Sequence, residues 1–173
     1  MFWLLLIKAL YFFLPAYGAN MAPTLFKWIP LGNKPIYEQK LGSHKTWRGL
    51  IVGTLVGGLI FSLQKYFYSL GYLNTISLLD YKGFSILLGF LMGFGALFGD
   101  VIKSYYKRRV HIKPGNSWMP WDQLDFVFGG LVVSFLMYVP PIEVILILVI
   151  VSPLLHIIVN NIGYLLKIRE TRF

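Results

Sequence analysis

The chain has 173 residues, 57% of them hydrophobic and only 13% charged, with 16 Lys or Arg against 7 Asp or Glu and a formal net charge of +9. Soluble globular domains carry about 25% charged residues, so this composition excludes an ordinary soluble domain and points to one membrane-embedded domain over residues 1–173. There is no cysteine, which excludes disulfides and thiolate-ligated metal.

A helix needs about 20 apolar residues to cross the hydrocarbon. Five segments meet or approach that length: residues 2–18, 50–73, 84–102, 124–139 and 144–166, the fourth being short. The first lacks the basic start and small-residue cleavage site of a signal peptide, so it is expected to remain as a span. Lys65 stands near the far end of the second, where its long stem lets the charge snorkel. Pro140-Pro141 predicts a tight turn between the last two. The expected fold is an all-α integral membrane protein with five transmembrane helices and two polar loops, 20–49 and 103–123, that form the active site.

Loop 20–49 carries Lys27, Lys34, Lys40, Lys45 and Arg48; loop 103–123 carries Lys103, Lys107, Arg108, Arg109 and Lys113; the tail carries Lys167, Arg169 and Arg172. With five spans these all fall on one side, and the positive-inside rule makes that side cytoplasmic and the N-terminus external. Glycines recur at four-residue spacing in the spans: Gly53 and Gly57, Gly89 and Gly93, Gly95 and Gly99. Such spacing lets helices approach closely. Packing within one bundle is the favoured reading, and a dimer is left open.

The stretch from Gly99 to Asp125 gathers Asp100, Asp122 and Asp125 with Lys103, Lys107, Arg108, Arg109 and Lys113 beside long apolar runs. Charge beside a bilayer is costly unless it meets water, a metal or an anion. If the helix carrying Asp100 continues, Lys103, Ser104 and Lys107 lie three, four and seven residues on, along one face. Asp122 and Asp125, three apart, share a face at the start of the fourth span. Carboxylates interleaved with cations suit Mg²⁺ together with phosphate oxygens. Membrane anchoring by basic residues, with Asp as counter-charge, is the plainer alternative. Segment 40–49 offers Ser43, Lys45 and Thr46 just ahead of the second span; it lacks P-loop spacing, and an ordinary helix entry would look much the same.

Together the two loops resemble the phosphatidate cytidylyltransferase (CDP-diacylglycerol synthase) family. The family's G-D, S-x-x-K-R, Lys and D-x-x-D elements match Gly99-Asp100, Ser104 to Arg108, Lys113 and Asp122 to Asp125, and Ser43 to Gly49 is similar to its serine–lysine–threonine segment. Bacterial members carry K-D where this chain has Lys113-Pro114, and an Arg where it has Gln123. These departures and the short chain make it similar to the archaeal branch, the CDP-archaeol synthases. The resemblance implies CTP and a lipid phosphomonoester, unsaturated archaetidic acid, as substrates at the membrane, with Mg²⁺ as cofactor and no nucleic acid partner. It implies Asp100, Asp122 and Asp125 as metal ligands and, with Lys107, as catalytic residues. Lys103, Arg108 and Lys113 would bind phosphates, while Ser43, Lys45, Thr46, Ser104 and Gln123 would complete the nucleotide pocket. The attacking phosphate oxygen is already anionic, so no catalytic His or Cys is required. His156 is expected to make a core hydrogen bond, and Asn160 and Asn161 to bond between helices.

Three enzyme readings remain beside this one. A CDP-diacylglycerol synthase would act on phosphatidic acid, a CTP-dependent lipid kinase would release CDP, and a CDP-alcohol phosphotransferase is disfavoured because D-G-x-x-A-R is missing. A small transporter or scaffold would place charge at mid-membrane, whereas Asp and Arg here gather at one boundary.

Overall fold

A computed structural model describes residues 2–30, 32–113 and 116–167. Arg169 and Arg172 of the basic tail, and Pro114, lie outside the described residues. The described chain is helical: α1 (Phe2–Leu25), a single turn α2 (Glu38–Leu41), α3 (Trp47–Ser69), α4 (Leu87–Arg109), α5 (Trp121–Ser134) and α6 (Ile142–Leu165). Four of these, α1, α3, α4 and α6, are long and apolar enough to cross a membrane. Such helices satisfy their own backbone groups in hydrocarbon, and membrane helices tolerate internal proline; α1 runs through Pro15 and Pro23 and α6 through Pro153.

Local chemistry explains the ends. Thr46 caps α3, its hydroxyl accepting from the Gly49 amide at 3.2 Å. After Ser69 the chain leaves through Leu70 and Gly71, the latter at φ +85°, a left-handed exit that glycine adopts without strain. Two 3₁₀ turns follow, at Asn74–Ile76 and Tyr81–Gly83. Lys65 does snorkel along α3, donating to the carbonyls of Phe84 (2.7 Å) and Lys82 (3.2 Å) and so closing this end of the bundle. Tyr81 folds back into the core against Tyr11, Phe61 and Tyr68.

Glycines set the helix spacing. A Cβ on Gly57 would lie 2.8 Å from both Gly89 O and Gly93 Cα, so α3 and α4 meet backbone to backbone. Gly99 faces Asp125 O, and Gly95 and Gly129 face each other's carbonyls, which makes α4 and α5 antiparallel neighbours at equally close range. The core between them is aromatic and aliphatic, with Phe12, Phe13, Phe126, Leu88 and Met92 fully buried.

Several expected boundaries move. The first span extends to Leu25, and α3 starts at Trp47, inside the segment expected to be loop. The stretch 103–109 is the last two turns of α4, not loop, so Asp100, Lys103, Ser104 and Lys107 do share one helix. The fourth segment begins earlier, at Trp121, and ends at Ser134; its 14 residues rise only about 21 Å. The non-helical chain beyond it carries Tyr138 to Phe84, ahead of α4, with ring centroids 5.5 Å apart. The turn falls at residues 135–137, ahead of the Pro140-Pro141 pair expected to form it; Pro141 is extended (φ −52°, ψ 148°) and leads into α6.

Because a methyl on Gly57 must displace backbone rather than a flexible side chain, Gly57→Ala is expected to destabilise the protein by about 1–3 kcal/mol. Thermal unfolding in detergent measures it, with Gly83→Ala, where a Cβ meets nothing within 4 Å, as the variant that should not shift.

Candidate functional site

The last turns of α4, the first turn of α5 and the turn before α3 bring six charged side chains to one end of the bundle. Lys103, on α4, is at their centre. Its ammonium lies 3.0 Å from Asp100 Oδ1, 2.8 Å from Asp122 Oδ1 and 3.0 Å from Asp125 Oδ2. Lys107, one turn on, donates to both oxygens of Asp122, at 3.0 and 2.9 Å. Lys45 pairs with the other oxygen of Asp100. Three carboxylates therefore face three ammonium groups, and the cluster carries no net charge.

Position follows from local structure. The i, i+3 spacing puts Asp100 and Lys103 on one face of α4. Gly99 lets α5 approach until Asp125 faces Lys103. Lys45 is fixed by its backbone: Pro35 and Thr46 form an antiparallel bridge, Ile36 N–H donates to Lys45 O at 2.8 Å, and Trp47 N–H donates to Lys34 O at 3.2 Å. Arg48 ties the same segment down by donating to Lys27 O (2.8 Å) and Ile29 O (2.7 Å). At the start of α5 the Trp118 amide donates to Asp122 Oδ2 at 2.5 Å. Lys103, Lys107 and the Trp118 amide thus all donate to the Asp122 carboxylate.

Two depressions adjoin the cluster. A groove of about 520 Å³ lies on the outer surface between α4 and α5. Its walls are Phe98, Ile102, Tyr106, Trp118, Trp121, Phe128, Val132 and Val133, its floor is Gly99 and Gly129, and Lys103 and Asp125 form its polar end. A cleft of about 50 Å³ on the other side of Asp100 is lined by Lys45, Thr46, His44 and Gly49 together with Pro23, Ile36 and Leu97. The cleft is too small to enclose a nucleotide; it can seat part of a phosphate chain.

The sequence-based candidates separate accordingly. Asp100, Asp122, Asp125, Lys103, Lys107 and Lys45 form one cluster. Ser104 is buried and its hydroxyl donates to Asp100 O at 2.8 Å, inside its own helix. Thr46 lines the cleft but uses its hydroxyl as the α3 cap. Ser43 and Lys113 are exposed on turns. Arg108 donates to Ile112 O, and its buried Nε, 4.0 Å from where a Gly42 Cβ would sit, has no protein partner. Gln123 is 4% exposed on the inner face of α5, its Oε1 without a protein partner, and it lines neither depression. His156 packs on Phe126 with its ring nitrogens 3.4 Å from the Asn160 amide, and Asn161 donates to Ile157 O at 2.8 Å. Trp118 and Trp121, which sequence reasoning did not single out, line the groove and flank the cluster. Their signal was proximity, one and four residues from Asp122.

Among the described residues no group of three carboxylate, imidazole or thiol side chains is arranged to hold a metal ion. The donor set nevertheless suits a hard divalent cation in kind, since three carboxylates converge on a single cationic point. Here that point is the Lys103 ammonium.

A family model described as CarS-like CDP-archaeol synthase matches residues 1–173. Relatives named CDP-archaeol synthase include that of Methanocaldococcus jannaschii, 33% identical with 98% of each chain covered. That of Methanopyrus kandleri is 36% identical, covering 97% of this chain and 94% of its own. A solved structure described as an intramembrane enzyme for archaeal membrane lipid biosynthesis superposes with a TM-score of 0.67 at 28% identity, covering 88% of this chain and 92% of that one.

The cap geometry predicts that Thr46→Ala costs about 1 kcal/mol of stability and Thr46→Ser close to none. Paired thermal melts measure the difference.

Proposed function

As the chain belongs to the CDP-archaeol synthase family, we propose that it transfers CMP from CTP to the phosphate of unsaturated archaetidic acid, giving CDP-archaeol and pyrophosphate, with the Asp–Lys cluster as reaction centre. The observation that carries this is an ionic cluster and an apolar groove sharing Lys103 and Asp125. A polar nucleotide and a lipid phosphate have to meet at such a boundary.

In the reaction a lipid phosphate oxygen attacks the α-phosphorus of CTP, a P–O bond forms, and the bond to the β-phosphate oxygen breaks with pyrophosphate as leaving group. The obstacle is bringing two polyanions into line, so positioning and charge neutralisation supply most of the catalysis. Lys45, beside the small cleft, and Arg108, with its unpartnered Nε, bind the triphosphate. Lys107 holds Asp122 and adds positive charge where the phosphates meet. Lys113, exposed on the turn after α4, reaches the outer phosphates. The groove takes hydrocarbon tail, which keeps the lipid phosphate at the Lys103 end. Asp100, Asp122 and Asp125 would hold Mg²⁺; when bound, it supplies charge neutralisation and alignment of the phosphates.

The topology completes the reading. With α1, α3, α4, α5 and α6 each crossing, the cluster, both polar loops and the C-terminus lie in the cytoplasm, where CTP is, and the N-terminus lies outside. Because the chain has no cysteine, single cysteines report on this directly. Ser43→Cys is expected to react with an impermeant maleimide only after the cytoplasmic side is opened, and Asn74→Cys in sealed cells. The reverse pattern would refute the orientation.

Purified protein given CTP, Mg²⁺ and archaetidic acid is expected to release pyrophosphate and form the CDP-lipid. Asp122→Asn is expected to lower turnover by at least 10³-fold while the protein stays folded, a loss of about 4 kcal/mol in transition-state stabilisation. Ordinary turnover by that variant, or activity in EDTA, would remove the metal assignment. CDP with a phosphorylated lipid as products would identify a kinase instead.

A further inference from the structure

We propose that Lys103 is the resident cation of the three-carboxylate site: it holds Asp100, Asp122 and Asp125 in place before the divalent ion binds, and it gives up that position when the ion is taken up. This rests on the Mg²⁺-dependent reading above and deepens it.

The geometry distinguishes Lys103 from its neighbours. It is the one lysine among the described residues within 3.0 Å of all three carboxylates, and those carboxylates come from two helices. Lys45 touches only Asp100, and Lys107 only Asp122. When Lys103 withdraws, Asp100 and Asp122 each keep a lysine. Asp125, 5% exposed, keeps only the amide of Phe126, at 2.6 Å. An uncompensated buried carboxylate is strongly destabilising, so the withdrawal requires another cation, or a proton, at Asp125. A divalent ion arriving beside Lys103 would leave surplus positive charge in a cluster that is already neutral. Exchange of one cation for the other keeps Asp125 compensated and halves that surplus to a single charge.

Lys103 also has somewhere to go. It lines the polar end of the apolar groove, and four rotatable methylenes let its ammonium turn from the carboxylates towards that space. The group it would meet there is the phosphate of a lipid whose tail occupies the groove. Metal uptake on one side of the side chain thereby frees a cation for the acceptor on the other.

The test is Mg²⁺ titration of thermal unfolding in detergent without CTP, on the unmutated protein, Lys103→Met and Lys103→Gln. Both variants are expected to melt below the unmutated protein in EDTA. They are also expected to reach half of their Mg²⁺-induced rise in Tm at a Mg²⁺ concentration at least tenfold lower. Adding Asp125→Asn to Lys103→Gln is expected to abolish that gain. A Mg²⁺ response no tighter than that of the unmutated protein overturns the inference, as does a gain that survives Asp125→Asn. A Lys103→Gln protein that will not fold even in Mg²⁺ overturns it too, because the ion then fails to replace the ammonium. Turnover by the unmutated protein is assayed in parallel. If it needs Mg²⁺ while the variants show no tighter response, only the exchange is wrong; if it persists in EDTA, the metal reading itself falls.

Discussion

Neutrality at the polar end of the bundle is the constraint on which the rest depends. An ion removed from water without a partner costs several kcal/mol, and here three acidic and three basic side chains, each at most 24% exposed, gather in one place. They can coexist only because three of each sign interlock. The extension of α4 beyond the apolar run, the early start of α5, and the bridge between Pro35 and Thr46 all deliver charges to this point.

Interlocking demands short distances between helix axes, which is what the glycines supply. Asp125 faces Lys103 because Gly99 has no side chain to hold α5 away, and Gly95 and Gly129 keep the next turn equally close. On the far side of α4, Gly57 and Gly93 bring in α3, whose capped N-terminus adjoins Lys45. Packing of the apolar bundle and assembly of the ionic cluster are therefore one event: a methyl group at the helix crossing would loosen contacts a turn or more away.

Much of this was legible in the amino-acid order, because it depends on spacing along one helix. The bundle of apolar helices, the alignment of Asp100 with Lys103 and Lys107, and the pairing of Asp122 with Asp125 all follow from periodicity. The loop boundaries did not. Charged residues lower hydropathy without lowering helix propensity, so the last two turns of α4 resembled loop. Contacts distant in sequence were likewise hidden. Lys45 and Asp100 are 55 positions apart, and nothing local announces their pairing. Ser104 and Thr46 carry the right chemistry for a nucleotide pocket, yet their hydroxyls serve the backbone of their own helices. Gln123 lies beside Asp122 in the chain, but one residue is about 100° of helical rotation, enough to turn it to the inner face of α5.

The groove between α4 and α5 lies on the outside of the bundle, its aromatic rim at Phe98, Tyr106, Trp121 and Phe128 exposed. A lipid whose tail takes this groove, as proposed, would therefore arrive by diffusing within the bilayer plane and depart the same way. The quantity that saturates such a site is a surface density, the mole fraction of acceptor among all lipids, while the nucleotide is still counted per unit volume. Diluting the membrane with inert lipid should thus slow the reaction at constant bulk amounts of everything else, and product that is not drawn off laterally will compete for the same berth.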